Sequence, residues 1–334
     1  MKYINMVLAH MYHLKYFIPL VLEAKKNGIV TNMYTFHSGV ASISKSKGFK
    51  NHPYNYIEHI GGLGRQYGFN FEFCHVDDSE KVEGLTFFVE KRGLSNLENN
   101  KNISKVVLVC LLDFSNPNWY NKYSKTVDKI IFPSRYVAEH YNSICDKNLY
   151  LGSPKYDVIS DKEKIKLKYG VVSDKNALVL TPELNTLDIS NLPKLCGTLR
   201  DNGYTIIVKG RQKQPSLSDR EGDYYFDDKY WFPYPTMELI EICDVVISYD
   251  SAVSKECVMG STPFVNIHVT KGWLPFECFY EYKFCKNLSS SQEGLSRFIS
   301  TLDDDFKEEF KRCRLKYLFD KQNSSKKILE ALNV

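Results

Sequence analysis

No stretch of this 334-residue chain approaches the roughly 18 consecutive apolar residues that a membrane-spanning helix requires. Met1 to Val7 is too short for a secretory leader. The nine cysteines include no C-x-x-C pair, and their irregular spacing fits neither a disulfide framework nor a structural zinc site. No block is dense enough in Lys and Arg to track duplex DNA, so nucleic acid is not an expected partner. Neither G-x-G-x-x-G after a strand nor a G-K-[ST] ending occurs, which removes the two commonest glycine-rich phosphate loops. What remains is a cytoplasmic protein whose thiols are reduced.

What is present has the composition of a globular protein, 43% hydrophobic and 25% charged, with a mild net charge of +4 that suits an anionic substrate. The length accommodates two domains. Tyr3 to Leu8 reads as a buried strand, followed by a turn, Ala9-His10-Met11-Tyr12-His13, and a helix that stops at Asn27-Gly28. Ile29 to Tyr34 and Phe69 to Val76 read as further strands. Gly61-Gly62-Leu63-Gly64-Arg65 reads as a flexible turn. Asp77 and Asp78 read as a solvated loop, because neighbours in extended chain point to opposite faces and make a poor metal pair. Val106 to Leu112 is the most apolar run of the first half, a central strand that ends in a polar, aromatic loop containing Asp113 and Trp119. Such a loop suits an acceptor that stacks on aromatic faces.

Strand, helix and strand then lead to Gly152-Ser153-Pro154-Lys155-Tyr156-Asp157. Gly and Pro together supply one permissive and one fixed dihedral, as a hinge needs. The expected division is therefore residues 1–152 and 153–334. Alternation restarts with a helix from Asp161 to Tyr169 and a strand from Ala177 to Leu180, followed by Thr181-Pro182-Glu183. A strand from Tyr204 to Val208 opens into Lys209-Gly210-Arg211-Gln212-Lys213, a cationic cluster that seeks phosphate.

The most informative stretch runs from Leu239 to His268. A β-branched strand, Asp244 to Ser248, turns through Tyr249-Asp250-Ser251-Ala252-Val253-Ser254 into a helix carrying Glu256, and a strand from Pro263 to Ile267 follows. This is a βαβ unit whose loop lies where open α/β sheets bind ligands. Free N–H groups at the helix start, beside Ser251 and Ser254, suit an anionic group such as a diphosphate. The spacing sets Glu256 about one and a half turns into the helix, too deep for a cap and well placed to accept from vicinal hydroxyls.

These segments resemble the GT-B glycosyltransferase superfamily, and in particular its branch of CDP-glycerol glycerophosphotransferases and UDP-GlcNAc 2-epimerases. The likeness is carried by the G-S-P-K-x-D crossing at 152–157 and by the D-S-x-x-x-x-E turn at 250–256. It implies two Rossmann-like α/β domains with mainly parallel sheets and a cleft between them, the last helix crossing back to the first domain. It implies a nucleotide-sugar substrate, no cofactor and no bound metal, in keeping with the lack of a convincing D-x-D. The donor would be held by Thr181, Glu183, Lys209, Arg211, Tyr249, Ser251, Ala252, Ser254 and Glu256. The acceptor side would use Asp113 and Trp119, with His10, or else His13, for proton transfer or acceptor orientation. An imidazole in that turn otherwise simply packs or caps it. A glycerophosphotransferase fits the same two motifs, although the His that its kin carry beside Lys209 is missing. The AHMYH loop is unlike the first loop of the epimerases, and a DNA-modifying transferase or a non-catalytic sugar-nucleotide binder are the remaining alternatives.

Overall fold

A computed structural model describes residues 2–36, 56–74, 76–89, 94, 100–110, 120, 123–157, 161–181, 191–210, 221–226, 235–268, 277–288, 292–318 and 323–334. The chain divides into two compact units, Met1–Val158 together with Lys316–Val334, and Ile159–Leu315. The first unit thus takes in the 152–157 crossing as well as the C-terminal segment.

Seven parallel strands form the sheet of the first unit: β1 (Tyr3–Val7), β2 (Val30–Phe36), β3 (Asn70–Cys74), β4 (Leu85–Val89), β5 (Lys105–Val109), β6 (Lys129–Phe132) and β7 (Asn148–Tyr150). Their order is β3-β2-β1-β4-β5-β6-β7, so the direction of winding reverses between β1 and β4. The centre of this sheet is β4, a strand the sequence reading passed over, and β5 is its neighbour. A side-chain ladder pins the register on one flank. Asn70 Nδ2 donates to Asn32 Oδ1 at 2.9 Å, Asn32 Nδ2 donates to Asn5 Oδ1 at 3.0 Å, and Asn5 Nδ2 donates to the Glu83 carbonyl. The three asparagines are direct register partners, and a slip of one residue would turn one of them to the opposite face and break the ladder.

Helices α1 (Leu14–Lys26), α2 (Tyr56–Tyr67) and α3 (Arg135–His140) belong to the same unit. The Gly61–Arg65 stretch is not a flexible turn but the interior of α2. Ile60 and Leu63 are buried on one face, which outweighs the helix cost of glycine. Gly64 has a structural reason: a Cβ there would meet the Phe69 carbonyl oxygen at 2.8 Å. The Gly64 carbonyl in turn accepts the N–H groups of Gly68 and Phe69, with Gly68 left-handed at φ +88°. This is a helix stop of the kind glycine enables. Asp77 and Asp78 lie in a 3-10 turn, Val76–Lys81, rather than in extended chain.

In the second unit, α4 (Lys162–Tyr169) leads to β8 (Asn176–Leu180), α5 (Leu192–Asp201), β9 (Thr205–Lys209), β10 (Tyr224–Phe226), α6 (Pro235–Glu241) and β11 (Val245–Tyr249). Then come α7 (Ser254–Gly260), β12 (Phe264–Ile267), β13 (Cys285–Leu288), α8 (Gln292–Ile299) and α9 (Lys307–Tyr317). The six strands are parallel in the order β10-β9-β8-β11-β12-β13, with the winding reversal between β8 and β11. Period-two alternation sorts the side chains. Ala177, Val179, Ile206, Val208, Val245, Ile247, Val265 and Ile267 form one core with Leu195 and Leu199 of α5 and Leu295 and Phe298 of α8. Leu180, Lys209, Ser248 and Asn266 are left for the opposite face. Helices α6 and α7 pack closely through Gly260, where a Cβ would come within 2.9 Å of Ile240 Cγ2.

The C-terminal segment joins the first unit through α10 (Ser324–Ala331). Asp157 explains the attachment. Its Oδ1 accepts the N–H groups of Asn323 (2.8 Å) and Ser324 (2.9 Å), and its Oδ2 accepts that of Ser325 (2.6 Å). One carboxylate therefore satisfies three donors at the start of this helix. Ser134 adds a second tie, capping α3 and donating to the Lys316 carbonyl at 2.8 Å.

Candidate functional site

The ends of β8, β9, β11 and β12 bring four polar groups to the carboxyl edge of the second sheet, at its winding reversal. Thr181 follows β8, and both its N–H (3.2 Å) and its hydroxyl (3.4 Å) donate to the Lys209 carbonyl at the end of β9. The Lys209 side chain is buried, with Nζ 3.5 Å from the Gly210 carbonyl. Asp250 follows β11 and takes a left-handed backbone, φ +40°, which is unusual for any residue but glycine and which Asp and Asn tolerate best. That turn directs its carboxylate back over the sheet. Oδ1 accepts from Asn266 Nδ2 at 2.8 Å and lies 2.9 Å from His268 Nδ1. Asn266 Nδ2 also donates to Asn287 Oδ1 at 2.9 Å, so the network runs across β11, β12 and β13.

The turn after Asp250 consumes more chain than the sequence spacing suggests. Ser251 Oγ accepts the Val253 N–H at 3.4 Å, Ala252 is exposed, and α7 begins only at Ser254. Glu256 is therefore in the first turn of the helix, not one and a half turns in. It is 3% exposed, which rules out a solvated surface position. A carboxylate in a first turn is favoured by the helix dipole, although a seven-residue helix contributes little of it. Ser254 is also buried, and its hydroxyl has no hydrogen-bond partner among the described residues. Tyr249 lies elsewhere: its ring is in the core shared with α5 and α8, and burial pushes its phenol well up. It does not share the polar face of its neighbours. Glu183 and Arg211 lie outside the described residues, as do Asp113 and Trp119.

In the first unit, His10 directly follows the end of β1. It is half-buried and caps the 3-10 turn Met11–His13, its Nδ1 accepting the Tyr12 N–H at 3.3 Å. His13 is fully buried, with edge-on contacts to Tyr12 (4.7 Å between centroids) and Phe17 (6.2 Å). A side chain without exposed surface meets no acceptor, so of the two only His10 keeps an access to solvent.

Solved structures share this pair of sheets. The UDP-GlcNAc 2-epimerase from Neisseria meningitidis bound to UDP-GlcNAc is 12% identical, with a TM-score of 0.65 over 100% of both chains. The wall teichoic acid polymerase TagF is 14% identical, TM-score 0.63, over 99% of this chain and 88% of that one. The glycotransferase of kitacinnamycin is 9% identical, TM-score 0.62, over 94% and 95%. The chain has the GT-B fold. No protein-family model and no curated protein sequence matches it. At these identities the likeness is one of fold, and the chemistry of this GT-B chain rests on its own residues. Among the described residues no group of three or more His, Cys, Asp or Glu is placed to hold a metal, and no helix is long and apolar enough to cross a membrane.

His268 is the residue that sequence reasoning missed in this GT-B chain. It ends the stretch singled out there, yet an isolated His after a strand gives no signal. Only the adjacency of β11 and β12 brings it to Asp250.

Proposed function

We propose that this protein is a glycosyltransferase that moves a sugar from a nucleoside-diphosphate donor to a hydroxyl acceptor, without a bound metal. The observation that carries this reading is the Asp250 turn at the winding reversal of the second sheet. Its left-handed backbone and its bonds to Asn266 and His268 hold the Asp250–Ser251 corner rigidly at the edge where α/β sheets bind nucleotides. Around that corner, Lys209 and Ser251 supply a cation and a hydroxyl for a diphosphate leaving group. Thr181, whose two donors both go to the Lys209 carbonyl, ties the end of β8 to the end of β9, and the first-turn Glu256 supplies an acceptor for ribose hydroxyls. Tyr249 does not belong to this set.

His10 has the acceptor-orienting role. With Nδ1 occupied by the Tyr12 N–H, a neutral ring carries its proton on Nε2 and offers a donor rather than a base. The test is a thermal-shift panel of UDP-GlcNAc, UDP-glucose, GDP-mannose, TDP-glucose and CDP-glycerol. A ligand at 100 times its Kd stabilises the folded state by about 2.7 kcal/mol. A shift with a sugar nucleotide, followed by its slow consumption with and without EDTA, supports the proposal. A shift with CDP-glycerol alone would replace it by glycerophosphate transfer, and no shift at all would refute it.

A further inference from the structure

We infer that Asp250 and His268 form a proton-accepting dyad, in which His268 Nε2 takes the proton of the hydroxyl that attacks the donor sugar. This rests on the glycosyltransfer reading above. Four observations carry it. An ionised carboxylate can only accept, so the 2.9 Å contact makes His268 Nδ1 the donor and leaves the Nε2 lone pair as the ring's acceptor. The Asp250 side chain is 4% exposed while that of His268 is 33% exposed, so the acid is sealed and the imidazole is open. Asn266 Nδ2 fixes the carboxylate oxygen from the other side. The His268 backbone continues the ladder to β13, donating to the Leu288 carbonyl at 2.9 Å, so the ring stands on rigid chain.

A buried acid that orients an exposed imidazole through Nδ1–H sets the tautomer a general base requires. His10 has the opposite tautomer and cannot serve in that way. In the step itself, the attacking oxygen bonds to the anomeric carbon as its O–H proton passes to Nε2. The carbon–oxygen bond to the nucleoside diphosphate breaks, and its electron pair leaves with the diphosphate. The imidazolium formed stays hydrogen-bonded to Asp250. Water can replace the acceptor hydroxyl, so donor hydrolysis follows the same path.

Two measurements on the full chain test the dyad. Ring nitrogen-15 NMR, with His268 assigned from the His268→Gln difference, should show an Nδ1–H tautomer in the unliganded protein that is lost in Asp250→Ala. Hydrolysis of whichever sugar nucleotide in the panel stabilises the protein should fall by about 10²–10⁴-fold in His268→Gln, with its Kd within threefold. Asp250→Asn, which suits the left-handed backbone, should lower kcat by a larger factor than it raises Kd, and millimolar imidazole should partly restore His268→Ala. An Nε2–H tautomer, or unchanged hydrolysis in His268→Gln, overturns the dyad and leaves the donor reading standing. Absence of any thermal shift in the wild type removes the donor reading and the dyad with it, whatever the tautomer.

Discussion

Replacing Asp157 by alanine would strip three N–H donors of their shared acceptor at the start of α10. The Asn323 N–H is exposed, so water takes over there at little cost. The other two belong to Ser324 and Ser325, residues that are 2% and 3% exposed, and an orphaned buried donor costs about 1–3 kcal/mol. Relief of the buried carboxylate returns part of this. Burial is the main influence on Asp157 and raises its carboxyl above the ordinary 3.8, against the lowering effect of the Ser325, Ser324 and Asn323 hydrogen bonds. The expected net loss is therefore about 2 kcal/mol, near the upper end for a lost helix cap. Hydrogen exchange read by mass spectrometry should show peptides covering 324–331 exchanging roughly 30-fold faster, since each 1.4 kcal/mol is a factor of ten. Peptides from Ile159–Leu315 should not change. Unchanged exchange in α10, or equal acceleration in both units, would refute the capping role. The pH dependence has a definite sign. A raised carboxyl means that protonation favours the folded state, so this group's contribution is full below 3.8 and is lost as pH rises through the raised value. Asp157→Asn should cost less than alanine at neutral pH and should flatten that dependence in urea melts across the acid range.

Three further outcomes are expected. Within α2, Gly64→Ala should destabilise by about 1–3 kcal/mol through its clash with the Phe69 carbonyl, whereas Gly61→Ala, whose Cβ among the described residues nears only Arg65 Nη1 at 4.0 Å, should stabilise by about 0.5–1 kcal/mol; equal effects in urea melts would contradict the packing described. Glu256→Gln should keep the fold and weaken nucleotide binding by about 1.5–3 kcal/mol, the range for a hydrogen bond to a charged group, and an unchanged Kd by calorimetry would remove Glu256 from the site. His10→Ala should lower kcat/KM for the acceptor by about 10–100-fold while leaving donor Kd and donor hydrolysis intact; a fall in hydrolysis would make His10, not His268, the proton acceptor.

The alternating plan of strands and helices was readable because buried parallel strands are apolar runs, and YINMV, KIIF, TIIVK and VVISY all have that form. Elements whose signal depends on partners were not. LTFFV of β4 is as long and as apolar as these but is bounded closely by charged residues on both sides, and CKNL of β13 has only Cys285 and Leu288 as apolar residues; pairing with β12 makes it a strand. Helix α2 was hidden by three glycines whose tolerance comes from a buried stripe and from Phe69. At the candidate site, the Asp250–Ser251 turn was visible as small polar residues after a strand. The depth of Glu256 was not, since the left-handed Asp250 and the Ser251 turn delay the helix start. Nothing local marks the ring contacts of His10 and His268, one made with a backbone N–H two residues on and the other with a carboxylate at the end of the adjacent strand.

The first unit is discontinuous in sequence, and synthesis runs in one direction. When β1 to β7 have left the ribosome, the acceptors on Asp157 have no donors to meet, because Asn323, Ser324 and Ser325 have yet to be made. The segment Ile159–Leu315 emerges whole before them. The second unit can thus reach its final form first, and the earlier-made unit must wait, incompletely closed, for residues 316–334. A chain interrupted between residues 315 and 323 would accordingly harm the unit built around β1 to β7 more than the unit made last before the break.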